Sequence, residues 1–156
     1  MSAYRHGISC PAYFAGERFG YRYRYSDQHL DLMDWISDYG AFRINGGLNL
    51  LSKLVGAPGK IGTSGADVAK LYAQGRLQEA SDYCCHDVLD TYFVFLRTRI
   101  LTGELTPELE RERVSEATRW IEQRSRELPS FQGYLDTMHG EREVSVAGER
   151  AQGLTP

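Results

Sequence analysis

Apolar positions recur at helical spacing over residues 48–55, where Leu48, Leu51, Leu54 and Val55 share one side and Gly56 follows. That is the pattern of a short amphipathic helix closed by glycine. The next stretch, 57–65, alternates glycine with small and polar residues around Pro58, and predicts a loop. Ser64 is placed to cap a helix over about 66–74, with Gly75 as its stop. Residues 77–102 hold neither proline nor internal glycine and predict one long helix. Its expected apolar face is Ala80, Cys84, Val88, Leu89, Tyr92, Phe95, Leu96 and Ile100. Thr106 and Pro107 then restart the chain as a cap and a first helical residue. The charge-laced helix that follows, to about Leu128, carries Val114, Ala117, Trp120 and Ile121 on one side.

The N-terminal third is less regular. Residues 4–7 read as the last turn of a helix stopped by Gly7, and 8–14 as extended chain around Pro11. Tyr21, Tyr23 and Tyr25 alternate strictly with Arg22 and Arg24, which suits an exposed strand or extended loop. Arginines stacked on tyrosines and contact with nucleic acid explain that alternation equally well. Residues 29–36 fit a buried strand turning into a helix. From Gly140 onward the chain is polar and glycine-spaced, which predicts a tail without fixed structure. The pattern as a whole is mostly helical, with one or two strands.

Composition narrows the function classes. A chain of 156 residues, 42% hydrophobic and 25% charged, has the size and balance of one ordinary domain with a core. No apolar run approaches the roughly 20 residues that span a bilayer. The first residues lack the apolar centre of a secretory signal, so the cytoplasm is the expected location and no membrane partner is expected. Cys10, Cys84 and Cys85 are an odd set without C-x-x-C spacing, so neither a disulfide framework nor a zinc knuckle is suggested. Adjacent Cys84 and Cys85 read as small residues in a packed helix. A net charge of −3 argues against a protein that coats nucleic acid electrostatically.

Tyr83 and Asp87 stand four residues apart on the long helix, hence on one face. A phenol one turn before a carboxylate suits two-metal phosphodiester hydrolysis, the acid holding a divalent ion and the phenol orienting a water. The bare spacing also fits a core tyrosine beside a surface aspartate. Gly56 to Lys60 lacks the G-x-x-x-x-G-K-[ST] spacing of a nucleotide-binding loop, since Ile61 follows Lys60 and Leu54 stands at the first glycine position. Lys60 is still a candidate for contact with a nucleic-acid phosphate, against a merely solvated lysine in a tight loop. His29, Asp31 and Asp34 do not converge on one face, and Cys84 to Asp87 fan outward as consecutive helical residues, so neither set predicts a zinc site.

Four segments taken in order, HLDLMDWISDYGA, LNLLSKLVGAPGK, SGADV and YCCHDVLDTY, resemble a bacterial family of predicted 3′–5′ exonucleases. That family is related to the exonuclease domain of family B DNA polymerases, and the resemblance covers roughly residues 4–103. It implies an α/β, ribonuclease H-like (DEDD-type) fold of which this chain holds the mostly helical C-terminal portion. It implies a nucleic-acid 3′ end as substrate, two magnesium or manganese ions as cofactors, Tyr83 and Asp87 as catalytic residues and Asp87 as a metal ligand. Asp31 falls near the start of a strand close to the family's active site, which would give it a supporting role.

The departures from the pattern matter equally. Complete members carry an Asp-x-Glu motif and a later Phe-Asp motif, and neither precedes Tyr4 here. Three of four metal-binding carboxylates are therefore missing from the pattern, and Asn49 stands where the family often has aspartate. A truncated gene, a mis-set start codon and a split pair of chains all account for this. The expected organisation is a partial exonuclease domain over 1–105, a charged helical segment over 106–139 and a disordered tail over 140–156. Weak metal binding follows, and so do two functional readings. One is an incomplete 3′–5′ exonuclease, completed by a chain supplying the N-terminal half. The other is a non-catalytic remnant that binds nucleic acid or a partner. With the first strands absent, Val88, Tyr92 and Phe95 are expected to leave an apolar patch on the long helix.

Overall fold

The computed structural model describes the backbone of residues 29–151 and the side chains of residues 29–140. The chain divides into two compact units, residues 1–44 and 45–156. The segments 4–7, 8–14 and 21–25, with their expected helix end and extended stretches, lie outside the described residues. So do residues 152–156 of the expected tail.

In the first unit, α1 spans Leu32–Ile36. Asp31 is its N-cap, its carboxylate accepting from the amides of Met33 at 2.9 Å and Asp34 at 3.1 Å. Those bonds satisfy amides that a helix start leaves without partners. The strand expected at the start of 29–36 is therefore corrected: no strand occurs among the described residues, and Asp31 begins a helix. Its carboxylate serves that cap.

Among its described residues the second unit holds five helices: α2 Gly47–Leu54, α3 Gly65–Ala73, α4 Leu77–Leu101, α5 Pro107–Arg124 and α6 Ser130–Ala151. Their starts follow the expected chemistry. Ser64 precedes α3, and Asp67 accepts from its amide at 3.0 Å and its hydroxyl at 2.5 Å. Thr106 caps α5 by accepting from the Leu109 amide at 3.2 Å, with Pro107 as first residue. The helical part of the expected α/β class is thus what the described residues contain.

α4 is the axis of this unit, packing against α2, α3, α5 and α6. Its core stripe, Phe93 and Leu96 with Leu89 and Cys85 beside them, meets Ile121 of α5 and Phe131, Tyr134, Leu135 and Met138 of α6. The expected face is corrected here. Val88 is 68% exposed, and Cys84 and Tyr92 are also exposed, whereas Asp90, Phe93, Val94 and Thr98 are buried. A helix packed by four neighbours has apolar residues around much of its circumference, so no single stripe dominates the pattern. On α5, Ile121 is buried as expected, but Trp120 is half exposed and packs its ring 6.1 Å from that of Phe131.

The loop after α2 is the second surprise. Ala57, Pro58 and Gly59 are buried, and Ala57 belongs to the core cluster. Buried loop backbone needs partners for its polar groups. The Ala57 amide donates to the Ser52 carbonyl at 2.9 Å, and the Lys60 amide donates to Asn49 Oδ1 at 2.8 Å.

The corrected helix face has a direct test in urea unfolding. Ile121→Ala is expected to lower stability by about 2–5 kcal/mol through the cavity it leaves. Val88→Ala on the exposed side is expected to change it by no more than about 0.5 kcal/mol. A costly Val88 substitution would restore the face expected from the sequence.

Candidate functional site

Tyr83 and Asp87 lie one turn apart on α4 and line one cleft of about 140 Å³. Asn49 of α2, Lys60 of the loop and Asp90 of α4 line the same cleft, together with Gly46 and Leu48. The helix supplies the acidic wall and the loop supplies a cation. Lys60 is exposed, and its backbone is held by the bond from its amide to Asn49.

The Tyr83 phenol is pushed up to about 12, first by its hydrogen bond to the Asp87 carboxylate, then by burial and by the Asp87 charge. A phenol held that high keeps its proton at neutral pH. It therefore works as a donor toward Asp87 and not as a base. Room for it comes from Gly65 at the first position of α3, where a Cβ would stand 3.3 Å from the phenol oxygen.

Asp90, three residues beyond Asp87, is only 2% exposed. Its carboxyl accepts from the Tyr134 hydroxyl at 2.8 Å, and also engages the Ser52 hydroxyl and the Gly59 amide. Burial pushes this carboxyl above the usual carboxylate range. Its hydrogen bonds to Tyr134, Ser52 and Gly59 oppose that rise, and the Asp87 charge adds to it. The Ser52 hydroxyl has one proton, and its Oγ lies 2.8 Å from the Leu48 carbonyl, to which it donates. Asp90 is thus held among Tyr134, Ser52 and Gly59.

Of the residues singled out from sequence, Tyr83, Asp87 and Lys60 share the cleft. His86 does not join them, because its Nε2 lies 3.1 Å from the Ser130 carbonyl and its ring packs 5.3 Å from Tyr134. Asp90, Ser52 and Tyr134 were missed. The i, i+3 spacing of Asp87 and Asp90 was the available signal for the first. Nothing local in the sequence points to Tyr134, which lies 44 residues away.

A pair of divalent ions requires several converging anionic ligands. Among the described residues no group of three or more histidine, cysteine, aspartate or glutamate side chains is arranged to hold a cation. Asp87 is the available carboxylate in the cleft, since the oxygens of Asp90 are engaged with protein donors. The residues present do not fit a two-ion centre by themselves.

The raised Asp90 carboxyl predicts a pH dependence of stability. A free aspartate titrates near 3.9, so above about pH 4 the folded protein binds this proton more tightly than the unfolded chain. The Asp90 contribution is then fullest below the unfolded value and is lost as pH rises through the folded one. Replacing Asp90 by Asn removes that loss. The melting temperature of Asp90→Asn minus that of the wild type is expected to rise between about pH 4 and pH 7. A flat or falling difference would show that Asp90 is not held above its ordinary value.

No curated protein and no solved structure is matched by this sequence. Residues 1–138 match a family model described as predicted 3′–5′ exonuclease related to the exonuclease domain of PolB. The match runs beyond the motif-bearing segment into α6, and it includes the whole of the cleft. With most of its 156 residues matched, the chain belongs to this family of predicted 3′–5′ exonucleases.

Proposed function

We propose that this chain is part of a 3′–5′ exonuclease of ribonuclease H-like fold and that its cleft receives the 3′ end of a nucleic acid. The observation that carries the reading is the placement of Tyr83, Asp87 and Lys60 around one small cleft. Lys60 is suited to a backbone phosphate, which needs a cation free to approach from solvent. Tyr83, retaining its proton, orients the Asp87 carboxylate. Asp87 would be one ligand of magnesium or manganese, which when bound supplies electrophilic assistance to phosphodiester cleavage. The remaining acids have to come from a further segment, in the same polypeptide or in another. The exposed Val88 and Tyr92 on α4 support such a segment packing nearby.

A second reading is favoured by the engagement of Asp90 with protein donors, which leaves the cleft short of carboxylates. On that reading the chain binds nucleic acid or a partner without cutting. Trimming of a 5′-labelled oligonucleotide in magnesium separates the two. The 156-residue chain is expected to show none. A version extended upstream through both missing acidic motifs is expected to trim, and Asp87→Asn in that version is expected to return it to background. Binding without trimming in the extended protein would favour the non-catalytic reading. Trimming by the short chain, abolished by Asp87→Ala, would show that it carries acids beyond those identified.

Lys60 has its own readout. Lys60→Ala is expected to weaken binding of single-stranded oligonucleotides of different sequence about equally. It should also reduce the slope of log affinity against log salt by about 0.7, the counterion share of one phosphate contact. An unchanged slope would remove Lys60 from the interface.

A further inference from the structure

Lys60 sits on a loop, and a lysine on a loop is useful at a fixed site only if the loop backbone is held. Two side chains outside the loop hold it. Asn49 Oδ1 accepts from the Lys60 amide at 2.8 Å, and the Asp90 carboxyl engages the adjacent Gly59 amide. Asp90 is itself held by the Tyr134 hydroxyl at 2.8 Å, so the tie runs from α6 through α4 to the loop. Gly59 makes the approach possible. Its φ is +69°, and a Cβ there would stand 2.6 Å from Asn49 Oδ1 and 3.1 Å from the Asn49 carbonyl oxygen.

We infer that Asn49 and Asp90 are positioning residues that clamp two successive amides of the loop and thereby set Lys60 at the mouth of the cleft, opposite Tyr83 and Asp87. This rests on the reading of Lys60 as a phosphate contact, while the clamp itself is a statement about the protein alone. The two points of attachment differ in kind. Asp90 is buried, part of a network linking three helices, and its loss disturbs packing as well as the loop. Asn49 is half-buried at the cleft, and its side-chain carbonyl holds the Lys60 amide directly. Asn49 is therefore where positioning can be separated from folding.

The clamp is read by amide hydrogen exchange at Gly59 and Lys60, followed by NMR in the 156-residue protein. Asn49→Ala is expected to speed exchange of the Lys60 amide roughly five- to tenfold, as loss of one hydrogen bond implies. Asn49→Asp keeps an acceptor oxygen and is expected to preserve protection. Asp90→Ala, which removes the acceptor, is expected to speed exchange at Gly59. If it does not fold, Tyr134→Phe, which frees Asp90 from α6, is expected to do so to a smaller extent. Unchanged Lys60 exchange in a folded Asn49→Ala protein would overturn the clamp.

Single-stranded oligonucleotide affinity then tests what the clamp is for. Asn49→Ala is expected to weaken binding several-fold when Lys60 is present and to have no further effect in the Lys60→Ala background. Equal losses in both backgrounds would mean that Asn49 acts independently of Lys60, and would overturn the positioning role. If Lys60→Ala alone leaves affinity unchanged, the phosphate reading of Lys60 fails, and the exchange data still decide whether the clamp exists.

Discussion

A carboxyl group taken almost wholly out of water must be met by hydrogen-bonding groups, and Asp90 is met from three directions. Tyr134 reaches it from α6, Ser52 from α2 and Gly59 from the loop between α2 and α3. Losing a partner from such a buried set costs far more than a surface hydrogen bond contributes, because the remaining polar atom cannot return to water. Helices distant in sequence are therefore held in one relative placement. That placement brings Asn49 and Lys60 to the Tyr83–Asp87 face of α4. The cleft is a consequence of how the buried acid is satisfied.

The same requirement explains why a loop of glycine, proline and alanine is buried. Loops usually stay at the surface because their amides and carbonyls have no regular partners. Here the partners are provided one by one: Ser52 carbonyl for Ala57, Asp90 for Gly59, Asn49 for Lys60. Once those amides are satisfied, Ala57 can pack among Phe93, Leu96 and Ile121 as a core residue. Sequence alone marked this stretch as a loop, correctly, but gave no means of seeing that it was also part of the core.

Helix ends were legible because their causes are local. Ser64, Thr106 with Pro107, and Gly75 act within a few residues of themselves, and α3, α4 and α5 begin where such residues stand or close to it. Faces were less legible. Val88 and Phe93 are both apolar residues of α4, and only the positions of α2, α3, α5 and α6 decide that the first meets solvent and the second the core. Tyr83 and Asp87 could be paired from their spacing on one helix. Asp90 and Tyr134 could not, because their bond depends on the packing of α6 against α4. Asp31 is a local cap of the same kind as Thr106, yet the run around it was read as a strand turning into a helix.

The division of labour between the two aspartates of the cleft follows from their surroundings. Asp87 has a protonated phenol beside it and remains partly open to the cleft, so its carboxylate can face an incoming ligand. Asp90 is committed inward, its oxygens taken by the protein and its proton favoured by burial. Two carboxylates one turn apart on a helix would be expected to share a cation, and here they differ because one is spent on architecture. An exonuclease centre built on this cleft therefore needs its further acids to arrive beside Asp87 and not beside Asp90.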